Sequence, residues 1–349
     1  MEGRPARAYI DPAALRHNLN QVRRHAPGTR IMAIVKANAY GHGIEAVRAL
    51  DADAFGVACL EEALALRRAG VAAPIVLLEG FFHAGEMATI FREGLSPVIH
   101  APWQVEALAS GNPSSLWVKI DTGMNRLGLS PRELGEIRGR LPQRFGQMTH
   151  LACADIPAHP MNARQIRRFF QAVGDLPGPK SLANSAALMA LPEARGDWVR
   201  PGLMLFGASP FPGRKGAELG LRPAMTLTTR LIAVKRCRQG EAIGYGATPC
   251  PEDMPVGIAA IGYGDGYPRH APPGTPVLVE GRRAHLMGRV SMDMLHIDLR
   301  ACPKARVGDT VCLWGEGLAI EEVAESAGTL PYELFCQLTA RVKRIYGKA

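Results

Sequence analysis

No stretch of the 349-residue chain carries the roughly 18 uninterrupted apolar residues that a membrane-spanning helix needs, so no membrane association is expected. The opening segment MEGRPARAYIDPAALRHN has no apolar centre of the secretory-signal kind. No C-x-x-C pair occurs. The seven cysteines are odd in number and scattered, which argues against a disulfide frame or a thiolate zinc site. Reduced thiols in a cytoplasmic protein without a bound metal are expected instead. Long basic runs are also missing. Lysines and arginines stand at most in pairs, such as Arg23-Arg24 and Arg282-Arg283, and aromatics do not interleave with them. The net charge of +9 therefore points to a solvated basic surface or a small anionic ligand rather than to nucleic acid. Internal repeats and low-complexity tracts are absent as well.

What remains is an ordinary globular composition, 47% hydrophobic and 21% charged, which supports a sizeable core without staples. Up to about residue 225, short apolar runs alternate with helical patterns. The runs IMAIV (31–35), AFGVA (54–58), IVLL (75–78), PVIH (97–100), LWVKI (116–120), MTHLA (148–152), KSLAN (180–184) and LMLFG (203–207) read as strands. Helix-like stretches lie between them, among them 60–69, 102–109, 131–140 and 161–173. Ser130, Pro131 and Glu133 together form a helix-start signature. Eight strands alternating with helices predict an α/β fold, a (β/α)8 TIM-type barrel over residues 1–225, with a doubly wound open sheet as the alternative. From 226 to 349 the segments are β-rich and broken by Gly and Pro, with one short helix near 320–327 and a last strand-like LTARVKRIY. This predicts a C-terminal, mostly β domain.

In such a barrel, reactive groups gather at the C-terminal ends of the strands. The sequence puts there Lys36, with Tyr40 in the next loop, and Lys119, leading into DTGMNRLG with Arg126. It also puts there His150, with Asp155 beyond it, then Asn184-Ser185, while Arg200 precedes the eighth run, which opens on PGLML with Gly202 and Leu203. A lone lysine is usually a solvated charge. At the end of a buried strand, desolvation favours the neutral, nucleophilic amine that a Schiff base to an aldehyde or ketone requires.

The stretch AIVKANAYGHG (33–43) resembles the pyridoxal-phosphate signature of the alanine racemase family. The resemblance continues over nearly the whole chain through DTGMNRLGL, THLACAD, LANSAA, VRPGLMLFG, AIGYGATP, IGYGDGYPR and GRVSMDM, in family order. It implies that Lys36 holds pyridoxal 5′-phosphate as an aldimine, and that Tyr40, Ser185 and the backbone N–H groups of Gly202 and Leu203 cradle the phosphate. Read alone, Tyr40 is a packed loop aromatic and Ser185 a helix N-cap. Arg200 corresponds to an arginine facing the pyridine nitrogen. Always protonated, it disfavours a pyridinium and weakens the electron sink; a structural salt bridge is its other reading.

By the same resemblance, Lys36 and Tyr245 are bases on opposite faces of the substrate Cα. His150 lies beside Tyr245 and is linked onward to Arg200. Tyr245 alone would read as a core or turn tyrosine. In the family it reaches the partner's barrel, which implies a homodimer with shared active sites. Arg126 and the backbone of Met292 correspond to groups that bind the substrate carboxylate. Lys119 corresponds to a lysine often carbamylated in the family, and is otherwise an ordinary strand lysine. Asp293, with Asp155, Arg269 and Arg289, corresponds to the access corridor or to dimer contacts.

The implied activity is interconversion of L- and D-alanine, supplying D-alanine for peptidoglycan. One departure bears on specificity. Some family members carry a tyrosine next to the RV of the C-terminal strand, narrowing the pocket, whereas here LTARVKR has Ala340. A wider gate is expected, so a broader-specificity amino-acid racemase stays as the alternative. A pyridoxal-phosphate decarboxylase of the same architecture would carry an acidic residue where Arg200 stands.

Overall fold

The computed structural model describes residues 3–108 and 115–348. The first nine strands are β1 (Arg7–Ile10), β2 (Arg30–Ile34), β3 (Ala54–Val57), β4 (Ile75–Leu77), β5 (Ser96–Ile99), β6 (Trp117–Lys119), β7 (Gly146–Met148), β8 (Lys180–Ser181) and β9 (Trp198–Val199). Strands β2 to β9 form one parallel sheet in the order β8-β7-β6-β5-β4-β3-β2-β9. A bridge between Asn184 and Arg200 draws its two edges together into a nearly closed (β/α)8 barrel. Parallel strands covered on both faces read as unbroken apolar runs, and β4 is buried at every position. The helix Pro131–Ile137 starts on a capping box: Glu133 N donates to Ser130 Oγ at 3.2 Å and Ser130 N to the Glu133 carboxylate at 2.8 Å.

Three local readings of the sequence differ from the structure. LMLFG is not the eighth strand; Leu203–Phe206 is a 3-10 turn, and the strand is the two-residue β9 just before it. A short, fully buried apolar run has no periodicity to tell strand from buried turn. Strand β7 begins earlier than MTHLA because it contains buried Gln147, whose amide donates to Phe145 O at 2.9 Å and Pro177 O at 3.1 Å. A polar residue satisfied in this way is invisible to a hydrophobic scan. Of the helix-like stretch 102–109, Pro102–Ala107 is helical, and residue 109 lies outside the described residues.

The remaining strands are β10 (Met225–Cys237), β11 (Ala242–Ile243), β12 (Thr248–Pro249), β13 (Met254–Ala259), β14 (Pro276–Val279), β15 (Arg282–Met287), β16 (Leu295–Asp298), β17 (Thr310–Trp314) and β18 (Lys343–Tyr346). All but β11 and β12 join a second sheet, ordered β13-β16-β15-β14-β17-β10-β1-β18, and a further β10–β13 pairing closes six of them into a ring. The long β10 serves both sides because its register shifts between Leu231 and Ala233, a bulge of the kind that bends a strand. Strand β1 runs antiparallel to β10 and parallel to β18, so residues 7–10 pair into this sheet before the chain enters the barrel. Two helices accompany it, Ile320–Ser326 and Pro331–Cys336, the second unforeseen in the sequence. Among the described residues, no helix is long and apolar enough to cross a membrane, and no group of three or more His, Cys, Asp or Glu side chains could hold a metal.

Candidate active site

A cavity of about 580 Å³ opens at the C-terminal ends of the barrel strands. Lys36, Tyr40, Lys119, Arg126, His150, Ser185, Arg200, Gly202 and Leu203 all line it. A larger one, about 810 Å³, lies at the other end of the barrel, around Arg30, Asp53, Trp117 and Trp198. Chemistry rather than volume separates them, because four cationic side chains converge in the first.

Lys36 ends β2's run by an unusual turn. Ala37, Asn38, Ala39 and Tyr40 have φ of 52°, 55°, 53° and 50°, a left-handed stretch without glycine. Left-handed geometry costs about 1–2 kcal/mol per residue, and small, unbranched Ala and Asn suffer least from it. Backbone bonds hold the turn, Gly41 N to Ala37 O and Gly43 N to Asn38 O, each 2.9 Å. The Glu62 carboxylate accepts from Ala37 N at 2.6 Å and from Ala58 N at 2.8 Å. The result presents Lys36 and Tyr40 to one cavity. Strain of this kind persists where the surroundings over-determine it, and such sites cluster at functional loops.

Tyr40 is buried against Phe206, ring centroids 5.0 Å apart, and burial pushes its phenol well above the usual range, so it acts as a hydrogen-bond donor. Its hydroxyl meets the barrel seam. A Cβ on Gly202 would lie 2.6 Å from that hydroxyl, so the approach requires glycine there. Across the seam, Ser185 Oγ accepts from Gly202 N at 2.9 Å and Met204 N at 3.4 Å. The N-cap of the helix Ser185–Ala190 is Asn184, whose side chain accepts from Ala187 N at 3.0 Å, so Ser185 is left to face the seam. Hydroxyls and backbone N–H groups gathered this way suit an anion.

Arg200 is fully buried and anchored. Nη1 donates to Ser181 O at 2.8 Å and Ser181 Oγ at 2.7 Å; Nη2 donates to Leu182 O at 3.2 Å and to Thr149 O. Those four bonds use the four Nη protons, and Nε–H is the remaining donor of a side chain that lines the cavity. Burial lowers its pKa to about 10, which leaves it charged at neutral pH. His150 is pushed well below the usual histidine range by burial first and then by Arg200, Lys119, Arg126 and Lys36, so its ring is neutral. Burial, Arg200, Arg126 and Lys36 bring Lys119 down to about 8, with Glu79 opposing. Arg126 projects from a turn shaped by Asp121, whose Oδ1 accepts from Gly123 N at 2.8 Å and Asn125 N at 3.2 Å.

Tyr245, Met292 and Asp293 do not line this cavity. Tyr245 is 72% exposed, between Gly244 and Gly246 at φ of 58° and 81°, in the turn joining β11 to β12. Met292 is exposed, and its carbonyl accepts from Gly264 N at 2.9 Å. Asp293 is paired to Arg341 at 2.5 Å, and Arg4 donates to its carbonyl at 2.6 Å.

Three polar or titratable lining residues were missed in the sequence: Glu79, Tyr332 and Cys336. Glu79 stands two residues past the end of β4, so the strand-end rule applied to every strand would have found it. Tyr332 and Cys336 stand four apart on the helix Pro331–Cys336, hence on one face, but nothing local ties that helix to the barrel. Ala340, on which a wider gate was expected, is exposed and does not line this cavity, whereas the Tyr332 ring packs on Tyr40 at 5.9 Å and brings a phenol to it.

Residues 10–210 match the family model described as "Alanine racemase, N-terminal domain", and residues 224–346 the one described as "Alanine racemase, C-terminal domain". The alanine racemase of Coxiella burnetii (strain RSA 493 / Nine Mile phase I) is 49% identical, covering 97% of this chain and 98% of that one. That of Nitrosococcus oceani is 52% identical over the same shares. The crystal structure of biosynthetic alanine racemase from Pseudomonas aeruginosa superposes with a TM-score of 0.95 at 48% identity, over 99% of this chain and 100% of that one. Alanine racemase from Bartonella henselae, solved with covalently bound pyridoxal phosphate, gives 0.88 at 28% identity over the same shares. With both halves matched in order and relatives near half identity along almost its whole length, the chain belongs to the alanine racemase family.

Proposed function

We propose that this protein interconverts L- and D-alanine on pyridoxal 5′-phosphate, as a cytoplasmic homodimer, and so supplies D-alanine for peptidoglycan. The observation that carries this is the meeting of Lys36, on its strained turn, with an anion cradle across the barrel seam. The cofactor fits the residues present. Tyr40 Oη, Ser185 Oγ and the Gly202 and Leu203 amides match a phosphate, Lys36 matches the aldehyde carbon, and Nε–H of Arg200 matches a pyridine nitrogen left unprotonated. We take the chain as two units meeting near residue 225, with residues 7–10 pairing into the second.

When bound, pyridoxal phosphate supplies an electron sink next to the substrate Cα, which acidifies its hydrogen. The protein supplies placement and protons. Arg126 and, in the dimer, the amide of Met292 of the partner subunit hold the substrate carboxylate, with Lys119 beside Arg126; a carbamate on Lys119 would turn a repelling cation into an orienting anion. The Lys36 amine takes or returns the proton on one face of Cα. Tyr245 of the partner subunit serves the other face. A free phenol titrates at about 10, so it needs cationic help; the charges of Arg200, Lys119, Arg126 and Lys36, whose field already reaches His150, supply it through space.

Incubating the purified protein with a panel of single L-amino acids, with chiral detection of products, tests the assignment. D-alanine should dominate, because Tyr332, packed on Tyr40, adds a phenol to the cavity wall and leaves less room for a larger side chain. Comparable turnover of bulky side chains would favour a broad-specificity racemase, and loss of carbon dioxide would favour a decarboxylase.

The phosphate cradle makes a narrower prediction. Gly202 has φ of −125°, outside the left-handed region, so Gly202→Ala acts chiefly by pushing on the Tyr40 phenol, whose hydroxyl would lie 2.6 Å and whose Cζ 3.2 Å from the new Cβ. Cofactor affinity should fall about tenfold, the scale of one charge-assisted hydrogen bond. In a Tyr40→Phe background the same substitution should cost little more, because the hydroxyl is already gone. Additive losses in the double variant would refute the contact.

A further inference from the structure

We propose that His42 is a positioning residue: its imidazole, locked as the Nδ1–H tautomer, pins the left-handed turn that sets Lys36 and Tyr40 in the cavity. His42 is wholly buried behind that turn. Its Nδ1 lies 2.8 Å from Tyr40 O and 3.1 Å from Ala39 O. Both partners are carbonyls and can only accept, so Nδ1 must carry the hydrogen and donate to the pair. These are the last two carbonyls of the turn. A left-handed turn that stops after four residues leaves such groups short of the next turn's N–H donors: Ala39 O still accepts from His42 N at 3.1 Å, whereas Tyr40 O, the nearer partner of Nδ1, takes no backbone N–H among the described residues. The side-chain donor gives Tyr40 O what a longer helix would have supplied.

Packing alone does not explain a histidine at this position. The ring sits between Phe206, centroids 4.4 Å apart, and Phe335, at 4.7 Å. Its Nε2 is buried without a hydrogen-bond partner among the described residues. An orphaned acceptor between two phenyl rings is unfavourable. Phenylalanine would fill the same space without that penalty. What distinguishes histidine here is the Nδ1 donor, and it is directed at the segment that carries the reactive lysine. Burial lowers its pKa to about 4, which keeps the ring in this neutral form across physiological pH.

The far side of the loop is fixed independently. Arg344 Nε donates to Gly41 O at 3.0 Å, and the Tyr346 hydroxyl to His42 O at 3.2 Å. A Cβ on Gly41, at φ of 74°, would lie 1.9 Å from Phe335 O, so this backbone has no room to drift. His42 therefore joins a rigid C-terminal anchor on one side to the strained turn on the other.

The inference rests on the proposed role of Lys36 as cofactor anchor, and the test keeps the two apart. His42→Phe keeps the ring volume and removes the donor. His42→Asn keeps a donor near the Nδ1 position and removes most of the ring. Two quantities are read: the melting temperature of the apoprotein, and the dissociation constant for pyridoxal 5′-phosphate from titration of the apoprotein by absorbance. For a positioning residue the two orders oppose each other. His42→Phe melts higher than His42→Asn, yet binds the cofactor at least about tenfold more weakly than wild type, whereas His42→Asn stays within about threefold. A His42→Phe protein that binds as tightly as wild type, or affinities that simply follow the melting temperatures, would overturn the inference. Hydrogen exchange of the apoprotein amides at Gly41 and Gly43 supplies a cofactor-free reading: it should quicken in His42→Phe, and unchanged exchange counts against the proposal. If instead wild type shows no Lys36-dependent cofactor absorbance, the reading of Lys36 fails while the exchange result still judges His42.

Discussion

Lys36→Ala is expected to abolish both the visible absorbance of bound cofactor and racemisation. Two separate functions rest on this one amine. As anchor it places the cofactor covalently, in a cavity where Arg200 and the seam hold the other end. As base it serves one face of the substrate Cα. Losing a positioned general base alone lowers rates by about a hundredfold to ten-thousandfold, and losing the tether adds to that. The fold should survive. Lys36 is half-buried at a strand end, and its truncation leaves the bonds of Glu62 and the turn's backbone bonds intact. Unchanged far-ultraviolet circular dichroism together with lost colour and lost activity is therefore the expected set. An added small primary amine should restore a little turnover, because it replaces the missing base but not the tether. Retained colour and activity in Lys36→Ala would sink the assignment.

The barrel and its strand-end residues were legible in the sequence because both follow from patterns that survive translation into structure. A parallel strand covered on both faces is an apolar run, and the polar residue that ends it stands at the reactive rim. Lys36, Lys119 and His150 were found by that rule and line one cavity with Arg200, which stood before the run read as the eighth strand and reaches a strand end only through β9. What was illegible has equally physical causes. The sign of φ leaves no trace in hydropathy, so the left-handed run from Ala37 to Tyr40 could be read only as the loop after a strand; Asn38 is the one residue there whose type is enriched in that geometry. Strand β9 is two residues long, and the neighbouring LMLFG, more apolar and more conspicuous, drew the assignment away from it. Tyr332 and Cys336 reach the cavity from the second half of the chain, and only tertiary structure brings them there. The role of Tyr245 came from family resemblance alone. Its own chain shows it exposed and remote from the cavity its chemistry needs.

That remoteness leads to the second large effect, in Tyr245→Phe. The phenyl ring keeps the shape and removes the hydroxyl that would carry the proton. Net racemisation should fall by about a hundredfold or more, but the fall cannot identify the face. L- and D-alanine are mirror images in water, so their equilibrium constant is unity, and kcat/KM must drop equally in both directions. Exchange of the Cα hydrogen with solvent deuterium is free of that constraint, because each enantiomer can lose and regain its proton on a single face. If Tyr245 serves the face of L-alanine, the variant should scarcely exchange L-alanine while Lys36 continues to exchange D-alanine. Equal, small losses for both enantiomers would remove Tyr245 as a base. Its exposure also predicts from which chain it acts. When inactive Lys36→Ala and Tyr245→Phe proteins exchange subunits at random, about half of the dimers are hybrids. If the two residues of a site come from different chains, each hybrid holds one intact site and one doubly defective site, and activity should return to about one quarter of wild type. If both came from the same chain, every site in every hybrid would lack one base, and mixing would restore nothing even after mass spectrometry had verified the exchange.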